Sequence, residues 1–77
     1  MYKDLPFVTF EYPDSETDYL KIRYLRVKSM DQTHIKGYEF TTARPSATDE
    51  GKLKTYLLAK IVNNGVHLVS FEPPLAA

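Results

Sequence analysis

The stretch Leu20–Met30, LKIRYLRVKSM, decides how this chain folds. Leu20, Ile22 and Tyr24 alternate with Lys21 and Arg23, which is the period of a half-buried strand. The alternation then slips, because Val27 is apolar while Arg26 and Lys28 carry charge. One extra residue at Tyr24–Leu25, a β-bulge, restores the pattern. On this reading Leu20, Ile22, Tyr24 and Val27 face the core. Lys21, Arg23, Arg26 and Lys28 then share the outer face as a basic ridge.

Upstream, Phe7 to Tyr12 is a short β-rich run bounded by Pro6 and Pro13, since proline does not continue a central ladder. Val8, Phe10 and Tyr12 lie on one side of it. Pro13-Asp14-Ser15 opens a turn. Downstream, Asp31-Gln32 is a tight connection into a third strand, Thr33 to Thr41. Gly37 within that strand marks a bulge, a sharp bend or a close approach by another backbone or ligand. Thr42 to Lys52 is a loop by composition.

Residues 53–62 read two ways. As a strand, Leu53, Thr55, Leu57, Ala59 and Ile61 take one face, and Asn63-Asn64-Gly65 forms a hairpin turn into a last strand, Val66 to Phe71. As a helix, Leu53, Tyr56, Leu57, Lys60 and Ile61 form an apolar stripe with a Ser46/Asp49 cap. Gly51 inside that helix costs about 1 kcal/mol, which favours the strand. The expected architecture is a single small domain over residues 1–77, with 72–77 as a frayed tail. It is mainly β, a five-stranded antiparallel barrel of the SH3-like or Sm-like kind. The alternative is an antiparallel sheet with one helix at about 46–63.

Composition narrows the function. Ten basic and ten acidic residues cancel, which argues against indiscriminate coating of nucleic acid. There are no cysteines, so disulfides and thiolate metal sites are excluded. Apolar content of 43% is enough for a core. The chain carries no run of the roughly 20 apolar residues that span a membrane. The expectation is a cytoplasmic protein with no membrane association.

Catalysis finds little support. His34 and His67 are the only histidines and lie in no catalytic signature. Asp14, Glu16 and Asp18 alternate but lack the glycine and terminal glutamate of a calcium loop. The expectation is no enzyme activity, no metal and no cofactor. The candidate binding residues are Lys21, Arg23, Arg26, Lys28, Lys54 and Lys60 for phosphate or carboxylate, with Tyr56, Tyr38 and His34 as stacking partners.

Thr33 to Phe40, THIKGYEF, and Lys54 to Ile61, KTYLLAKI, resemble the WYL domain, and Val8–Tyr12 with Leu20–Val27 resembles its opening strands. Thr33-His34-Ile35 stands at the naming tripeptide, followed by Lys36, Gly37 and Tyr38, and residues 54–61 stand at the basic strand. His34, Leu57 and Ala59 depart from the family pattern, and the tryptophan is missing. The resemblance implies an Sm-like barrel in a transcription regulator that binds nucleic acid or nucleotide-like ligands. It also implies a lone module or a fragment of a larger regulator. From the residues alone, the leading function is a protein-interaction or regulatory adaptor of phage or bacterial type. Its partner is another protein or a second copy of itself, and single-stranded nucleic acid is the alternative.

Overall fold

The computed structural model describes residues 5–69. These residues form five strands, β1 (Phe7–Pro13), β2 (Leu20–Met30), β3 (His34–Phe40), β4 (Lys52–Leu57) and β5 (Val62–Leu68). A one-turn 3₁₀ helix, Leu58–Lys60, links β4 to β5. All strands belong to one antiparallel sheet in the order β4-β3-β2-β1-β5. The first four form a meander, and β5 returns to pair with β1.

The core lies on the concave side of this sheet. Val8, Phe10, Leu25, Ile35 and Tyr56 are buried there. Tyr12, Val27, Leu58 and Ile61 pack against them, the last two delivered by the 3₁₀ turn and its exit. The sheet is strongly curled. Adjacent strands are about 4.8 Å apart, so β1 and β4 in a flat sheet would be separated by the width of two further strands. Yet the Tyr12 and Tyr56 rings lie 4.6 Å apart, and the Leu57 N–H donates to the Tyr12 hydroxyl at 3.2 Å.

The curl stops short of closure. The expected barrel is corrected to an open sheet, because among the described residues β4 and β5 are its two edges and do not pair with each other. After Leu57 the chain turns into the 3₁₀ segment instead of reversing, so β5 starts beside β1. The helix at 46–63 is also excluded: residues 52–57 are strand, and only three residues after them wind. The frayed tail at 72–77 lies outside the described residues.

The bulge of β2 sits elsewhere than expected. Pairing with β1 is unbroken from Phe7↔Arg26 to Pro13↔Leu20. The shift falls between Val27 and Ser29 on the β3 side, leaving Lys28 without a Cα partner. Consequently the two faces of β2 are exchanged from Leu20 to Leu25, while Val27 keeps the core side and Arg26 the outer side expected for them. Leu25 is fully buried, whereas Leu20 and Ile22 are exposed. The cause is β1: Val8 and Phe10 fix its inner face, and their register partners are Leu25 and Arg23. Gly37 is where β3 meets the bulge, since a Cβ there would lie 2.0 Å from the Arg26 carbonyl oxygen. Of the options the sequence left open for this glycine, close backbone approach is the one realised.

Asn63-Asn64-Gly65 is not a hairpin turn. It lies inside β5, where Asn63 (φ 52°) and Gly65 (φ 74°) adopt positive φ. Between Thr9↔His67 and Glu11↔Val62, β5 spends five positions against two on β1. The surplus residues form an irregular bulge, a second use of the same positive-φ preference. The Asp31 turn is as expected. Asp31 Oδ1 accepts from the Thr33 and His34 N–H groups at 2.8 and 2.7 Å, and these bonds pull its carboxyl below the usual carboxylate range. Among the described residues, no helix is long and apolar enough to cross a membrane.

Candidate functional site

The concave face near β4 gathers Arg23, Glu39, Lys52, Lys54, Tyr12 and Tyr56. Inward parity on β2 carries Arg23 into a half-buried position opposite Phe10. Burying a guanidinium is costly unless it is paired, and the pairing comes from β3. Glu39, which shares its face with Ile35 and Gly37, accepts from Arg23 Nη1 at 3.3 Å. The other Glu39 oxygen accepts from the Tyr56 hydroxyl. The guanidinium also stands 5.7 Å from the centre of the Tyr56 ring. Burial pushes the Tyr56 hydroxyl well above the usual tyrosine range, and the hydrogen bond to Glu39 and its charge push the same way. Tyr56 is therefore a neutral donor at any physiological pH.

Two cavities open on this face. One, of about 410 Å³, runs beneath the 41–51 loop along Glu39, Lys52 and Lys54. The other, of about 390 Å³, lies between the β1–β2 turn (Pro13, Asp14, Ser15) and β4 (Lys54, Thr55, Tyr56). Arg23 and Lys54 line both. Arg23 Nε is buried and has no acceptor among the described residues.

The sequence-derived candidates divide accordingly. Arg23, Lys54 and Tyr56 come together. Lys21 lies near the same turn, where it pairs with Asp14 at 3.2 Å. The Glu16 N–H and then Lys21 hold the Asp14 carboxyl below the usual carboxylate range. Arg26 is on the convex face, with its guanidinium 4.7 Å from the centre of the Phe7 ring and 5.9 Å from that of Phe40. Tyr38 is its cross-strand partner on that face. Lys28 occupies the bulge, Lys60 the 3₁₀ turn, and His34 the start of β3, where Nδ1 lies 2.7 Å from the Thr33 hydroxyl. The single basic ridge is thus split between two faces.

Three participants were missed from sequence: Glu39, Tyr12 and Lys52. Strand parity offered the signal for each. Glu39 falls in step with Ile35 and Gly37, Tyr12 with Val8 and Phe10, and Lys52 with Lys54 and Tyr56. The described residues contain no cluster of metal-ligating side chains. Comparison of the chain with protein-family models, with curated proteins and with solved structures finds no match.

Proposed function

We propose that this chain is a non-enzymatic binding module, a protein-interaction or regulatory adaptor of phage or bacterial type, that docks its partner along the β4 edge. The observation that carries this reading is the state of that edge. β4 pairs with β3 in unbroken register from His34↔Leu57 to Glu39↔Lys52, and five of its six residues are exposed. A regular, exposed edge presents unpaired backbone N–H and C=O groups, which is how small sheets recruit another chain. Exposed Leu53 and Leu57 flank Thr55 on its convex side.

Nucleic-acid binding is the competing reading, and the shared position of Arg23 and Lys54 speaks for it. The carboxylates of Asp14 and Glu39 speak against it, because they already hold Lys21 and Arg23. An open sheet with its last strand returned to the first is also compatible with the SH3-like or Sm-like plan.

Affinity capture with the wild-type chain and with Thr55→Pro tests the adaptor reading. Proline at an outward N–H blocks an incoming strand and leaves the β3 ladder intact. A stoichiometric partner held by the wild type and lost with Thr55→Pro supports it. A partner held equally by both overturns the docking edge. Oligonucleotide binding that weakens steeply with salt, with a flatter slope for Arg23→Ala, supports the nucleic-acid reading instead.

A further inference from the structure

The cavity beside β4 has the chemistry of a specific ligand class, on the premise that β4 is the docking edge. Hydrogen-bond polarity along β4 follows from its two ends. The Leu58 N–H donates to the Thr33 carbonyl, whereas the Leu57 N–H points away from β3, to Tyr12. Antiparallel strands alternate, so Tyr56 and Lys54 address β3. Leu53 and Thr55 address the open side. At Leu57 that side is capped by the Tyr12 hydroxyl, which leaves a short docking segment centred on Thr55.

The side chains on either face of this segment differ. On the concave face stand Lys52 and Lys54, with Arg23 behind them; Glu39, Asp49 and Glu50 balance these cations in the cavity under the 41–51 loop, whereas in the cavity beside the β1–β2 turn Asp14 alone faces Arg23 and Lys54. Neither lysine has a carboxylate partner among the described residues. Arg23 is held by Glu39, and its Nε is buried, so it adds positive charge behind the lysines and no reachable donor. On the convex face stand Leu53 and Leu57, exposed by 49% and 37%. A strand added here alternates its side chains between these two environments.

We propose that the seam between β4 and the β1–β2 turn binds an extended peptide of alternating apolar and acidic residues, adding it to the sheet as a short sixth strand. Its backbone pairs with the outward N–H and C=O groups of Leu53 and Thr55. Its carboxylates meet Lys54, with Lys52 adjoining. Its apolar side chains cover Leu53 and Leu57.

The test is an amide-resolved NMR titration of the ¹⁵N-labelled chain with blocked heptapeptides of alternating valine and glutamate, valine and glutamine, or valine and lysine. Shifts confined to Leu53, Thr55 and the cavity wall are expected with the glutamate peptide. The glutamate peptide should bind at least about tenfold tighter than the lysine peptide. Lys54→Glu, an exposed substitution that keeps the fold, should reverse that order of preference. Equal affinity for all three peptides, shifts centred on β5, or no shift at millimolar glutamate peptide overturns the proposal. A protein partner that is lost with Thr55→Pro but unaffected by Lys54→Glu would leave β4 as the docking edge and remove the acidic-peptide specificity alone.

Discussion

The sheet ends in two edges that are managed in opposite ways. β5 carries a bulge with two positive-φ residues, and its pairing with β1 skips register. Such an edge is bent away from a flat template and offers no continuous ladder. β4 is regular, with unbroken pairing to β3 and outward groups at Leu53 and Thr55. Its guards are electrostatic, Lys52 and Lys54, and they act as gatekeepers only against strands that bring no carboxylate. The contrast teaches that one edge of this chain is shut by backbone geometry and the other is filtered by charge.

The largest expected effect comes from undermining the support of β4. Among the described residues the backbone ladder of β4 is made with β3 alone, and β3 lies against β2 at Gly37. A methyl group there collides with backbone, the Arg26 carbonyl, which has no rotamer to change. Gly37→Ala should cost about 3 kcal/mol, at the upper end of overpacking effects. Chemical denaturation reads the loss directly. Hydrogen exchange should rise more in β4 than in β5, whose pairing with β1 does not pass through Gly37. Equal loosening of both edges would break the comparison.

A smaller effect is expected from Tyr56→Phe. Its hydroxyl donates to Glu39, the carboxylate that also holds Arg23. Removing a donor to a charged acceptor costs about 1–2 kcal/mol when the site is only partly closed to water. The same hydroxyl predicts an alkaline dependence. Its folded-state pKa is raised by burial and by Glu39, whereas the unfolded chain ionises near the usual tyrosine value of about 10. Its contribution is complete below that value and is lost as pH rises beyond it. Wild type and Tyr56→Phe should therefore converge in stability above about pH 10. A constant gap between them across the alkaline range would refute a Tyr56 hydroxyl kept protonated by burial and by Glu39.

Much of this was legible in the sequence where the cause is local. The parity of Phe7–Tyr12, the Asp31 turn, the strand at the start of 53–62 and the tight spot at Gly37 all follow from neighbours in the chain. The face of β2 did not. Leu20, Ile22 and Tyr24 advertise a core face, and Arg23 advertises solvent. Register with Val8 and Phe10 turns Arg23 inward, and two residues far along the chain make that tolerable: Glu39 supplies the counter-charge, and Tyr56 fixes Glu39 from the next strand over. Buried charge is decided by partners that periodicity does not see. Asn63-Asn64-Gly65 failed differently. Its preference for positive φ holds, but pairing of β5 with β1 turned a hairpin signal into a bulge. The binding ridge was half legible for the same reason, since Arg23 meets Lys54 only because that exchange of faces brings it to the concave side, while Arg26 keeps the outer face expected for it, over the aromatic rings.

The smallest expected effect belongs to β5 itself. Gly65 has φ 74° and open space beside its Cα, with no atom within 4 Å of where a methyl carbon would sit. Gly65→Ala therefore meets no clash and pays only for left-handed backbone, about 1–2 kcal/mol. A gain of up to about 1 kcal/mol from a stiffer unfolded chain offsets part of that. The net loss should be about 1 kcal/mol, a fall in Tm of several degrees for a domain of this size. Thermal melting reads it, and the variant should bind the glutamate peptide as the wild type does, because the bulge is remote from β4. Should Gly65→Ala instead raise Tm, the bulge is not held at positive φ in solution. The β5 edge would then lack the backbone guard that distinguishes it from β4.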